Sequence, residues 1–140
     1  MKSLTKNLFL TFAAVCVWGS SLNAQSYKIG ANIPFAFHAG KTSLPAGAYT
    51  VEKPFASQVQ LMTSKAGGRI ALPPMANLSD NGKAPRLVFH RYGNEYFLSE
   101  IWNGEGTGTR LKPSAEERMV KESVAANRAD EVTVVMAGLR

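Results

Sequence analysis

The sequence predicts a mainly β fold of the α+β class. About seven antiparallel strands form a small barrel or sandwich, with one C-terminal helix before the last strand. Three observations lead there. Short alternating segments are separated by turn residues, and two aromatic-rich segments flank the two-residue turn Gly93-Asn94. Only one stretch, following Ser114, carries helical spacing. No regular βαβ alternation occurs, which argues against a parallel sheet.

The chain has 140 residues, 45% hydrophobic and 19% charged, a globular composition of single-domain length. Its first 24 residues read as a secretory signal peptide. Lys2 and Lys6 precede an apolar run over 8–18, and small and polar residues then lead to Ala24. The apolar run is too short for a transmembrane anchor, which needs about 20 residues. Cys16 lacks the small residue before it that lipoprotein processing wants, and the apolar run continues past it. Removing 1–24 leaves one β-rich domain, 25–140, with 14 Lys plus Arg against 10 Asp plus Glu, a charge of +4. The expected location is exported, periplasmic or secreted, with no membrane span after cleavage. The lone Cys excludes an intramolecular disulfide. The basic residues are scattered and form no dense patch for nucleic acid.

Residues 27–33 alternate as a strand, and 34–38 continue extended, with Phe35 and Phe37 on one face. Pro34 marks an edge or a new start. Residues 41–47 read as a turn containing Pro45 and Gly47, and 48–52 as a strand presenting Tyr49 and Val51. Residues 58–63 and 69–72 form a pair turning at Gly67-Gly68. Pro73-Pro74 ends the second, and 77–85 reads as a polar loop. Its Asn77-Leu78-Ser79 matches a glycosylation acceptor, a match common by chance.

Residues 86–92 and 95–102 give the strongest signal, a hairpin covered on both sides. A two-residue loop puts Leu87, Phe89, Arg91, Tyr96, Leu98, Glu100 and Trp102 on one face. The other face carries Arg86, Val88, His90, Tyr92, Glu95, Phe97, Ser99 and Ile101. Residues 103–109 read as a mobile Gly-rich loop. Ser114 and Glu117 have capping-box spacing for a helix over 115–127, with Met119, Val120 and Val124 as its core stripe. Residues 131–137 read as a final buried strand.

The segments IPFAFHAGKTSLPAGAYTVE (33–52) and LVFHRYGNEYFLSEIW (87–102) resemble those of a family of small exported bacterial β-rich proteins. The L-P-A-G-x-Y-x-V and Y-F-L-S-E-x-W segments carry the resemblance, which covers nearly all of 25–140. It implies export and a β-rich fold, and it assigns no function and no catalytic residue. The 44–49 turn is also similar to turns of extracellular β-sandwich modules.

Several constellations bear on chemistry. Ser99 lies diagonal to His90 on the expected register, but a Ser–His hydrolase also needs an orienting third group and an accessible serine. Ser99 sits mid-strand and no G-x-S-x-G occurs, so no catalytic residue is assigned. A metal would need His38, His90 and a carboxylate to converge without any short ligand spacing, so no metal is assigned. Glu100 on an apolar face calls for an ion pair, with Arg110 or Arg69, or else lines an aromatic pocket. Gly104-Glu105-Gly106-Thr107-Gly108 lacks the rest of a phosphate loop, and no cofactor is expected. The reading is of a protein that binds rather than catalyses. Its partner is an unknown protein, an envelope polymer or a small apolar ligand, the last held near Tyr96, Phe97, Glu100, Trp102 and His90. A small hydrolase is the remaining alternative.

Overall fold

A computed structural model of the chain describes residues 26–63, 67–82 and 84–124, and the backbone of 130–135. The expected signal peptide 1–24, the expected helix end past 124 and the side chains of the last strand lie outside the described residues.

Eleven strands and one helix are described. The first sheet contains β1 (Tyr27–Ile33), β4 (Gly47–Phe55), β5 (Gln58–Thr63) and β6 (Arg69–Leu72), in the order β1-β4-β5-β6. The second contains β11 (Asp130–Val135), β8 (Pro85–Tyr92), β9 (Glu95–Asn103), β10 (Thr107–Leu111) and β7 (Pro74–Ser79), in that spatial order. A small hairpin, β2 (Phe37–Ala39) with β3 (Thr42–Leu44), attaches to β9 through a parallel bridge at His38 and Phe97. The helix α1 (Ala115–Ser123) precedes β11. The mainly β, α+β expectation therefore holds, with a C-terminal helix before the last strand.

Alternation explains why the sheets face each other. Ile29, Ala31 and Ile33 of β1, Tyr49 and Val51 of β4, and Val59 and Leu61 of β5 are buried on one face. They meet Leu87, Phe89, Leu98 and Ile101 of the second sheet in one core cluster. Phe37 packs edge-on against both Tyr49 and Phe89, which ties the small hairpin to both sheets. The Tyr49 hydroxyl donates to the Pro45 carbonyl four residues upstream at 2.6 Å. This is a tyrosine-corner bond, a device of β-sandwiches that fixes where the chain enters a strand.

Three segments depart from the sequence expectation. Residues 41–47 contain β3 as well as a turn. Residues 77–79, read as polar loop, belong to β7 and pair with β10. Residues 107–109, read as mobile loop, belong to β10, which fills the place between β9 and β7. Gly108 is the reason glycine stands in that strand. A Cβ there would come within 2.6 Å of the Trp102 ring, so the residue marks a close approach rather than looseness. Pro73 separates β6 from β7 at the point where the chain leaves one sheet for the other, and its carbonyl accepts from the Lys112 N–H at 3.1 Å.

The hairpin of β8 and β9 has the expected two-residue turn, with Tyr92 opposite Glu95. Its register then shifts. Phe89 faces Leu98 while Val88 faces Glu100, so Ser99 is an extra residue in a β-bulge. The bulge exchanges the faces beyond it. Ile101 joins the core with Leu87 and Phe89, whereas Glu100 and Trp102 move to the outer face with Arg86 and Val88. The inner-face placement of Glu100 and Trp102 is thereby corrected. Val88, Tyr92, Phe97 and Trp102 are nevertheless buried, so this hairpin is covered on both faces.

Candidate functional site

The outer face of β8 and β9 gathers most of the polar chemistry of the described residues. Strand parity brings His90 of β8 and Phe97 of β9 opposite one another, and the bulge keeps Ser99 on the same face. Helix α1 crosses above them. Ser114 caps it, accepting from the Glu117 N–H at 3.0 Å as its spacing predicts. The Glu117 side chain, however, is directed into the sheet. Its Oε1 lies 3.0 Å from His90 Nδ1, and His90 Nε2 lies 3.1 Å from Ser99 Oγ.

A carboxylate only accepts, so His90 Nδ1 carries the proton and donates to Glu117. In the neutral imidazole Nε2 is then an acceptor, to which the Ser99 hydroxyl donates. Tyr92 also bonds Glu117, and its phenol pKa is raised by burial, by the Glu117 charge and by that bond. Ser99 is 5% exposed and Glu117 6%. The order Ser–His–Glu matches the connectivity of a hydrolytic relay. Its serine, unlike a nucleophile on an open turn, is sealed within a strand. Each group satisfies the next, as a buried polar network must.

The helix thus docks by a carboxylate. Met119, expected in its core stripe, is 63% exposed, and the only buried residue of α1 is Glu117. That correction has a physical cause. The face of β8 and β9 offered to the helix is an imidazole, a hydroxyl and a phenol, which call for an acceptor rather than a methyl group. Beside it His38 stacks on Phe97 with ring centroids 4.6 Å apart. Its buried Nδ1 has no hydrogen-bond partner, and Glu116 Oε2 stands 3.8 Å away. The chain's two histidines therefore face two adjacent glutamates. Among the described residues no group of three or more His, Cys, Asp or Glu side chains converges as a metal ion would need.

A second outer-face cluster surrounds Trp102. Its indole N–H donates to Glu100 at 3.0 Å, and the Arg86 guanidinium lies 4.3 Å from the ring centroid. Arg110 donates to Glu100 through Nε and Nη2 at 3.0 and 2.8 Å, so of the two arginines anticipated for Glu100 it is Arg110 that pairs. Asp80 pairs with Arg86 in turn, and that hydrogen bond holds its carboxyl below the usual range.

The residues expected to line one ligand pocket are therefore divided. Tyr96 lies on the inner side, stacked on Phe35 at 4.0 Å, while His90 and Phe97 face α1 and Glu100 and Trp102 pair among arginines. Between α1, β2 and β10 lies a cavity of about 10 Å³ lined by His38, Phe97, Leu111 and Glu117 among others. That is room for at most one water. A larger depression of about 250 Å³ lies elsewhere, at the start of β1 and the end of β4. Sequence reasoning did not single it out. Its signal was the inward parity of Tyr49, Val51 and Lys53, which points a lysine toward the core side.

No family model, no curated protein and no solved structure matches this chain.

Proposed function

We propose that this protein is an exported β-sandwich module that works by presenting its surface to a protein or envelope polymer. The observation that carries the reading is the filling of both faces of the β8–β9 hairpin. The first sheet occupies one face, and the His38 ring stack together with the Glu117-anchored helix occupies the other. The aromatic residues that would line an apolar ligand site are used in packing. The leader-like segment 1–24 and the resemblance of 33–52 and 87–102 to small exported proteins support export. Among the described residues no helix is long and apolar enough to cross a membrane.

The test has two arms. N-terminal sequencing of the exported fraction should find Gln25 first. Native mass spectrometry of that fraction should give the bare chain mass, while a photo-crosslinker at the exposed Phe55 or Met75 gives a discrete macromolecular adduct. An apolar small molecule released in stoichiometric amount would overturn the reading in favour of a ligand barrel.

One observation favours a second reading, a hydrolase: the Ser99–His90–Glu117 connectivity. The covered serine weighs against it, and labelling by a serine-directed probe decides between them.

A further inference from the structure

Lys53 is out of place by strand logic. Tyr49 and Val51 point into the core, and the same parity carries Lys53 inward. Inward charges often guard the edge of a sheet. Here β4 is flanked by β1 and β5, so there is no edge to guard. Lys53 stands opposite Tyr27 on β1 and reaches across to the other sheet. Its Nζ donates to Thr109 Oγ1 at 2.9 Å and lies 3.5 Å from Asn77 Oδ1. Thr109 and Asn77 are themselves cross-strand partners on β10 and β7.

Among the described residues no carboxylate pairs with this ammonium. Lys28 and Glu52, on the opposite parity, neutralise each other at 2.8 Å. Lys53 therefore remains the uncompensated charge of this corner, and its partial burial lowers its pKa. Next to it the Tyr27 hydroxyl is buried beside Thr109 without completing a hydrogen bond, and burial raises its pKa. A half-buried ammonium with no carboxylate partner and a buried hydroxyl with no completed bond stand together, and the second is unusual for a buried polar group.

The same two residues line the depression of about 250 Å³, together with Ser26, Lys28, Glu52 and Pro54. The β4–β5 register shifts between Glu52 and Phe55, at Lys53-Pro54, which breaks the ladder at the place where the depression lies. The volume is just below that of drug-sized ligand sites, about 300–1,000 Å³.

We propose that this mouth of the sandwich binds a small organic carboxylate, its charged end on Lys53 and the Tyr27 hydroxyl and its body against Tyr27 and Pro54. The cation supplies the charge that a carboxylate lacks, and the phenol supplies a second donor. The carboxylate completes both at once, a charge-assisted arrangement. This site is separate from the aromatic hairpin and does not depend on the surface-binding role above.

Titration of the full domain with sodium benzoate, followed by amide NMR, tests it. Saturable shifts should appear around Ser26, Lys28, Lys53 and Thr109. Benzamide, which has the same shape without the charge, should give none. Lys53→Met keeps the stem and removes the charge, and should weaken benzoate by about tenfold or more. Tyr27→Phe removes only the hydroxyl and should weaken it severalfold, which keeps the test decisive if Lys53→Met fails to fold. Equal binding of benzamide, equally strong competition by inorganic phosphate, or shifts that do not saturate would overturn the proposal. So would benzoate affinity unchanged in both variants.

Discussion

Glu117 of α1 and His90 of β8, 27 positions apart in the chain, lie 3.0 Å from each other and hold the helix to the sheet. The bond replaces the reach-back that the capping box would have used. One half of the box is kept, because Ser114 still accepts from the Glu117 N–H at 3.0 Å. The side chain is diverted to a partner that only the tertiary fold supplies.

Glu117→Ala should destabilise the domain by about 2–3 kcal/mol, since His90 and Tyr92 lose a shared acceptor and the imidazole that Ser99 bonds loses its anchor. The urea midpoint measures the loss. Hydrogen exchange in α1 should quicken more than exchange in β4 and β5.

Ser99 should stay unlabelled by a fluorophosphonate probe in the native protein, because its side chain is enclosed. Intact mass is the readout. A stoichiometric adduct on Ser99, absent in Glu117→Gln, would show a working relay and remove the packing account.

Gly108→Ala should cost about 1–3 kcal/mol, the cost of overpacking, because its Cβ would meet the Trp102 ring at 2.6 Å. Thermal unfolding of the variant checks this. Trp102→Leu should restore part of the loss in the double variant, since the clash is with that ring.

Tyr49→Phe removes the bond to the Pro45 carbonyl and should cost about 1 kcal/mol without changing the fold. Chemical denaturation with an unchanged slope is the expected result.

Alkaline pH should weaken the fold. Burial raises the Tyr27, Tyr49 and Tyr92 phenols above 10.0, so the native state keeps their protons while the unfolded chain releases them. The stabilisation is full below pH 10 and is lost as pH rises toward the folded values. Lys53, with its pKa lowered from 10.5, acts in the opposite direction. Three phenols against one amine give a net fall, read as a decreasing urea midpoint above pH 10. Tyr92→Phe should make that fall shallower.

The local signals lie in short stretches of chain. Gly93-Asn94 between strand formers is enough for the hairpin, Ser114 with Glu117 for the helix start, and Leu44-Pro45-Ala46-Gly47 for the turn into β4. The extra strands were harder to read. Asn77-Leu78-Ser79 and Thr107-Gly108-Thr109 have weak strand propensity by themselves and become strands by pairing with each other across the fold. The bulge at Ser99 left no mark in the alternation, since apolar residues occupy both faces of β9. Its effect was to move Glu100 and Trp102 from the face of Tyr96 to that of His90 and Phe97.

The sequence alone determined a β-rich α+β chain with a central hairpin and a capped helix, because those features depend on neighbours a few residues apart. Tertiary structure decided what the polar side chains do. Glu117 meets His90, Arg110 meets Glu100, and Lys53 reaches Thr109, each through a contact between separate elements. Such pairings follow from register and sheet packing, and a single inserted residue at Ser99 was enough to redirect the side chains after it in β9.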